Sequence, residues 1–291
     1  MTNISLNKFI KIFRKLFFRF LTFLGSIIRL LILQLNLNFY TNKHINKYGP
    51  FKMHIYFIFS NFKKIGIQKK EKKLHNNLFE LVVNLACKRN IIIDVGAHIG
   101  LVTMPIANNI SDIGKVYSIE ASPNNFMYLS KHIKKNNFTN VKLFNCIIGS
   151  NNNQKTTFYE EKLPSGVNNL YNYSKYKSNL KKVSLEMVTL DHFCFNNDID
   201  PDLIKMDIEG AEVDAIKGSI EILKKGKAIF ILSVHPKNIV HSNNSVEDLV
   251  NIFKKYNYEF YDYELNKVSL LKNIEYIVAN NDNILQIKSD I

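Results

Sequence analysis

The sequence predicts an α/β protein, a doubly wound and mostly parallel sheet with an antiparallel C-terminal edge hairpin, preceded by a basic helical arm. Three observations predict it. From about residue 74, β-branched runs alternate with segments of helical periodicity, as in a parallel sheet covered on both faces. Two of those runs end in loops of glycine and acid, "DVGAHIG" (94–100) and "DIEGAE" (207–212). The excess positive charge lies almost wholly before this alternating region.

That charge is +14 at pH 7 over 291 residues. Thirteen of the 39 Lys and Arg fall in residues 1–70, and the first acid is Glu71, which leaves 26 cations facing all 25 acids. The basicity belongs to the arm and not to the body, so the body is not built as a polyanion binder. A hydrophobic content of 46% argues against disorder. Cys87, Cys146 and Cys194 are far apart and form no C-x-x-C pair, so neither a disulfide framework nor a zinc site is expected, and reduced thiols fit a cytosolic setting.

Residues 1–73 read as a basic amphipathic arm and connector, and 74–291 as the α/β domain. On a helical wheel, Lys8, Lys11, Lys15, Arg19, Thr22, Ser26 and Arg29 fall within an arc of about 80°, Arg14 sits somewhat outside it, and the other faces carry phenylalanine, leucine and isoleucine. A transmembrane span needs roughly 18 or more uncharged residues, which Arg19 and Arg29 interrupt. No uncharged core and small-residue cleavage site of a signal peptide is visible. Residues 8–30 are therefore expected to lie on an anionic membrane surface, holding a cytoplasmic protein peripherally on the inner membrane face, with packing on the body or a partner as the competing use. Residues 36–75 read as a connector with a second apolar patch, "FKMHIYFIF" (51–59).

In the body, "LHNNLFELVVNLAC" (74–87) reads as a helix, "IIIDV" (91–95) as a buried strand and "GLVTMPIANNI" (100–110) as a helix. The strand "KVYSIE" (115–120) leads into a helix over 122–136, for which Ser122 suits an N-cap and Pro123 the first helical position. "VKLFNCII" (141–148) is a third strand, and 150–180 is irregular and rich in Asn and Tyr. Strands over 181–190 and 202–207 precede a helix over 210–226 that ends in glycine. A strand at 227–234, a helix at 245–256 and strands at 258–263 and 274–280 close the chain.

The first loop bears on the ligand. A dinucleotide fingerprint is G-x-G-x-x-G, whose middle glycine admits a pyrophosphate. Here the spacing is Gly96-x-x-x-Gly100, His98 holds the middle position and Asp94 precedes the loop. An acid there repels pyrophosphate and suits a cofactor with a cationic centre and an ammonium group, such as S-adenosylmethionine. No Gly-Lys-Ser/Thr follows, which excludes a Walker loop. Glu120, at the end of the second strand, is placed to accept hydrogen bonds from both ribose hydroxyls. In "IKMDIEGAE" (204–212) a strand delivers Asp207 and Glu209 to the crevice at the strand ends, where ligands bind in such sheets.

In this order, "IDVGAHIG" (93–100), "GKVYSIEASPNNFMYLSKHIKKNN" (114–137), "VTLDHF" (188–193), "DLIKMDIEGAEVDAIKGS" (202–219) and "SVHP" (233–236) resemble the FkbM family of S-adenosylmethionine-dependent methyltransferases. The resemblance runs from about Ile91 to His235. It implies a class I methyltransferase (Rossmann-like) fold for 74–291 and O-methylation, commonly of sugar or polyketide hydroxyls. It also implies that Asp94, Gly96 and Gly100 line the donor's methionine end and that Glu120 holds the ribose. Asp207 and Glu209 would sit at the reacting end as base, substrate anchor or metal ligand. The sequence departs from the family in His98, where asparagine is usual, in Ala121-Ser122, where proline is usual, and in Ser233, where glutamate is frequent. The last removes a carboxylate from the strand end and leaves the base and any metal open.

Methyl transfer needs alignment and deprotonation of the acceptor hydroxyl. His235 has the most suitable ordinary pKa for the base, and Asp207 and Glu209 are its rivals. The expected acceptor is a hydroxyl of a glycan or lipid-linked saccharide near a membrane. Two other readings compete. Basic arms also bind phosphate backbones, which would suit a nucleic-acid methyltransferase, but the neutral body and the lack of an Asn/Asp-Pro-Pro-aromatic motif count against nucleic acid. A membrane-tethered interaction protein on a decayed methyltransferase fold is the other.

Overall fold

The computed structural model describes residues 3–57, 79–161, 164–166, 168–172, 180–272 and 274–290. The chain divides into two compact units, Met1–His75 and Asn76–Ile291.

The first unit opens with α1 (Asn3–Gln34), and a strand pair follows, β1 (Tyr40–Lys43) and β2 (Phe51–His54). The stretch read as a connector thus holds an antiparallel hairpin, Tyr40 opposite His54 and Lys43 opposite Phe51. Phe51, Met53, Tyr56 and Phe57, all from the second apolar patch, are buried. No described helix is long and apolar enough to cross a membrane.

The second unit begins with a helix over 79–87, α2. Then come β3 (Ile91–Val95), α3 (Thr103–Asn109), β4 (Lys115–Ile119), α4 (Pro123–Lys135), β5 (Val141–Phe144) and β6 (Ile147–Ile148). β7 (Gln154–Glu161), β8 (Leu180–Val188), α5 (Leu190–Asn197), β9 (Leu203–Met206), α6 (Glu212–Lys217), α7 (Ile220–Lys225) and β10 (Ile229–Ser233) follow. The chain continues through α8 (Pro236–Ile239), α9 (Val246–Lys255), β11 (Glu259–Tyr261), β12 (Glu275–Ala279) and α10 (Asn281–Asp290).

Seven strands form one sheet in the order β11-β12-β10-β9-β3-β4-β5. The pairs β10–β9, β9–β3, β3–β4 and β4–β5 are parallel, while β12 is antiparallel to both β10 and β11. The C-terminal hairpin stands at the edge as expected, and its second strand is the one inserted beside β10. The parallel strands are apolar on both faces, as helices on either side require. Ile92, Ile93, Leu203, Ile204, Phe230 and Leu232 are all without exposed surface.

Local chemistry explains the helix starts. Ser122 caps α4, accepting from Asn125 N with Pro123 at the first turn. Ser245 and Asp248 form a reciprocal capping box at α9. Four elements depart from the sequence reading. The third strand breaks at Asn145, whose Nδ2 donates to the carbonyls of Glu120 and Ala121, and β6 then joins a separate three-stranded sheet, β6-β8-β7. β7 occupies part of the stretch read as irregular. The helix over 210–226 splits at Gly218, where a Cβ would lie 2.2 Å from the Gly149 carbonyl oxygen. α10 follows the hairpin that was expected to close the chain.

Candidate active site

Two loops at the carboxyl ends of β3 and β9 meet to form the site. After Val95 the chain turns through Gly96 (φ 78°), His98 (φ 54°) and Gly100 (φ 90°). Gly96 and Ala97 donate their N–H groups to the Ile119 carbonyl at 2.9 and 3.0 Å, which folds the loop against the end of β4. A Cβ on Gly96 would stand 1.9 Å from the Asp207 carbonyl oxygen, so only glycine lets the two loops approach this closely.

Glu120 follows β4 and is buried. Its Oε2 accepts from His98 N at 2.7 Å, and its Oε1 from Ser122 N at 2.8 Å and Asn125 Nδ2 at 3.3 Å. Burial pushes its carboxyl up to about 7, against these hydrogen bonds and the charge of Lys205, which favour the ionised form.

β9 delivers Asp207 and Glu209 to the same cleft. Glu209 holds a left-handed conformation (φ 52°) that non-glycine residues seldom adopt. The next turn is packed so tightly that a Cβ on Gly210 would stand 2.6 Å from Asn238 Cβ, and Asn238 Nδ2 donates to Glu209 Oε2 at 3.1 Å. Burial raises the Glu209 carboxyl to about 7, with His235 opposing and Asp207 assisting.

Gly96, Glu120, Asp207 and Glu209 all line one cleft, together with His98, Asn125, Cys146, Ser165, Asn168 and Leu170. Burial pushes the Cys146 thiol up to about 12, so it stays protonated and is no nucleophile there. Three other residues singled out in the sequence stand outside the lining. Gly100 closes the β3 turn through its N–H to the Ala97 carbonyl at 2.9 Å. Asp94 has no exposed surface, accepts from Thr103 Oγ1 at 2.6 Å and lies 3.7 Å from Lys205 Nζ. Lys205 in turn lies 3.6 Å from Asp207 Oδ2, so one buried cation ties the ends of β3 and β9 together. Burial would lower the Lys205 pKa, but Asp207 and Asp94 outweigh it and raise the value. Asp94 is thereby paired from behind, and the acids that face the cleft are Asp207, Glu209 and Glu120.

His235 is the third. Its Nδ1 is 2.7 Å from Glu212 Oε1, which also accepts from Gly210 N at 3.0 Å. Its Nε2 is 3.7 Å from Asp207 Oδ1 and 3.8 Å from Glu209 Oε1. Burial would lower its pKa, but the hydrogen bond and charge of Glu212, with Glu209 and Asp207, hold it up at about 9. An imidazolium at neutral pH has no lone pair with which to take a proton. One ligand atom each from Asp207, Glu209 and His235 lie within 4.8 Å of one another, so these three could also hold a divalent cation. Ser233, which replaces a frequent glutamate, is buried at the end of β10 and adds no carboxylate to them.

The sequence reading did not single out Lys205, Glu212, Asn125 or Glu160. A lysine inside the apolar run "LIKM", between two acidic loops, was a visible signal for the first. Asn125 and Glu160 act across long separations and left none. Asn125 exchanges hydrogen bonds with the Ser165 backbone at 2.9 and 3.1 Å. Glu160, wholly buried, accepts from Ser122 Oγ at 2.7 Å and Asn124 N at 3.3 Å. Together they fix β7 and Ser165 against the start of α4. Tyr171, from the tyrosine-rich stretch, donates its hydroxyl to Asp214 and does not line the cleft. Tyr173 and Tyr176 lie outside the described residues.

Residues 94–260 match the family profile described as the methyltransferase FkbM domain, more than half of the chain. The chain belongs to the FkbM methyltransferase family. No curated protein matches it. Among solved structures, the methyltransferase FkbM from Methylobacillus flagellatus KT is 18% identical with a TM-score of 0.41, over 65% of this chain and 43% of that one. TYW2 from M. jannaschii, in complex with AdoMet, is 18% identical with a TM-score of 0.39, over 83% and 84% of the two chains. The O-methyltransferase from Bacillus cereus, in complex with SAH, is 14% identical with a TM-score of 0.38, over 73% and 80%.

The FkbM methyltransferase has a class I fold, and its methyl donor is S-adenosylmethionine. The cleft fits that donor on its own chemistry. Gly96, at the turn where the two loops meet, and Glu120, held at the second strand end, both line it.

Proposed function

We propose that this methyltransferase acts on oxygen, at a sugar hydroxyl of a glycan or lipid-linked saccharide. One observation carries the reading. Glu120, the acid suited to a ribose, and Asp207 and Glu209, the acids suited to an acceptor hydroxyl, open into a single cleft. Asn125, Ser165 and Asn168 add uncharged polar groups to its lining, which matches a polyhydroxylated acceptor better than a phosphate.

When bound, the donor supplies an electrophilic methyl group on a sulfonium. The chain's own contribution is alignment and one proton acceptor. Glu209 is that acceptor in our reading, because it lines the cleft, whereas His235 stands outside the lining with Nδ1 taken by Glu212. Its carboxyl, held near neutral, is matched to taking the proton as the oxygen–carbon bond forms. Asp207, 3.6 Å from Lys205 Nζ, orients the hydroxyl. His235 balances the two acids from behind. Cells lacking the gene would be compared with wild type by mass spectrometry of their surface glycans and lipid-linked saccharides. Loss of one methylene's mass from a sugar supports the reading. An unchanged glycan profile, with methyl transfer found only on nitrogen or sulfur acceptors, overturns it.

A further inference from the structure

None of the described residues lining the cleft lies in α1, whose exposed surface has a marked pattern. Leu16, Phe20, Phe23, Ile27, Leu30 and Leu31 are each 39% exposed or more, and they recur at spacings of three and four. On a helix they fall within an arc of about 100°, and the stripe extends for about 24 Å along the axis. Gly25 and Ile32, on the opposite side, are buried, and there the Arg29 guanidinium lies 5.7 Å from the centre of the Tyr56 ring. The helix therefore has an inner face packed within its own unit and an outer face of large apolar side chains. Arg19 borders the apolar stripe, on the arc that Lys8, Lys11 and Lys15 share in sequence. No acid occurs before Glu71.

We propose that α1 docks on an anionic lipid bilayer, lying in the plane of the headgroups with its apolar stripe inserted and its cations along one edge. A stripe of this length bordered by cations alone matches a surface that is apolar within and anionic at its rim. A second copy of the helix would cover the stripe but would bring two cationic edges together with no acid on either to pair them. RNA would neutralise the cations and leave the phenylalanines in water. The inference does not depend on the methyl-transfer reading.

The test is flotation of the full chain with vesicles of phosphatidylcholine alone, or of phosphatidylcholine with phosphatidylglycerol. The wild type is expected to float with the anionic vesicles and to be released in part by high salt. Phe20→Glu/Ile27→Glu is expected to weaken this binding at least tenfold, Phe20→Ser/Ile27→Ser to weaken it without adding charge, and S-adenosylmethionine binding to be the same in all three. Absence of the wild type from anionic vesicles, or binding by both double variants equal to that of the wild type, overturns the proposal. A dimer in solution that either double variant dissociates, or an RNA complex, without vesicle binding overturns it as well.

Discussion

His235 Nδ1 lies 2.7 Å from Glu212 Oε1, and Glu212 has no exposed surface. A buried carboxylate at this distance fixes the ring orientation and favours the charged imidazole over the neutral one. The histidine that the sequence offers as the base is thus held as a cation behind the acids that face the cleft. That arrangement is why we propose Glu209, in its left-handed turn, as the proton acceptor.

Glu212→Gln removes the charge and keeps the shape. The His235 ring, followed by proton NMR with a chelator present, is expected to titrate at about 9 in the wild type and lower by roughly one unit or more in the variant. An unchanged midpoint would show that Glu212 is not what holds the proton.

Stability should fall as pH rises. His235, raised in the folded state from 6.5 to about 9, contributes stability that is complete below 6.5 and lost as pH passes 9. Glu120 and Glu209, raised from 4.5 to about 7, prefer the protonated form when folded, so their contribution is lost between those values. Calorimetric Tm is expected to decline from about pH 5 to about pH 9.5, with a flatter alkaline half in Glu212→Gln. A Tm that rises over this interval would contradict the assignment.

Lys205→Met leaves Asp94 and Asp207 without their shared cation. Loss of one partner of a buried pair costs about 3–5 kcal/mol, which urea unfolding would measure. Adding Asp94→Asn should recover part of the loss, since it removes the carboxylate with no exposed surface. No recovery would mean that Lys205 acts through packing alone.

Glu209→Gln separates the base from the scaffold. Turnover is expected to fall by about 10²–10⁴-fold with donor affinity little changed. Equal losses of turnover and donor affinity would assign Glu209 to binding instead.

Much of this site was legible as text because its residues sit at strand ends. "IIIDV" could only be a buried strand, and the glycine spacing after it set the loop. "IKMDIEGAE" placed Asp207 and Glu209 at the head of the crevice. What the text hid was pairing across the sheet. That Asp94 and Asp207 share Lys205 depends on β3 and β9 being neighbours, which lie more than a hundred residues apart in sequence. The His235 pKa likewise depends on Glu212, whose burial the reading of 210–226 as a helix did not reveal. The split at Gly218 was hidden for a similar reason, since the glycine answers a contact with Gly149 and not a local propensity.

The central claim is that this cleft binds S-adenosylmethionine with Glu120 on its ribose. Isothermal titration of the full chain with the donor tests it most directly. The account predicts one saturable site, affinity that increases as pH rises through about 7 while Glu120 ionises, and a loss of at least about tenfold with a flat pH response in Glu120→Gln. No heat of binding at millimolar donor, or binding that Glu120→Gln leaves intact, would contradict it.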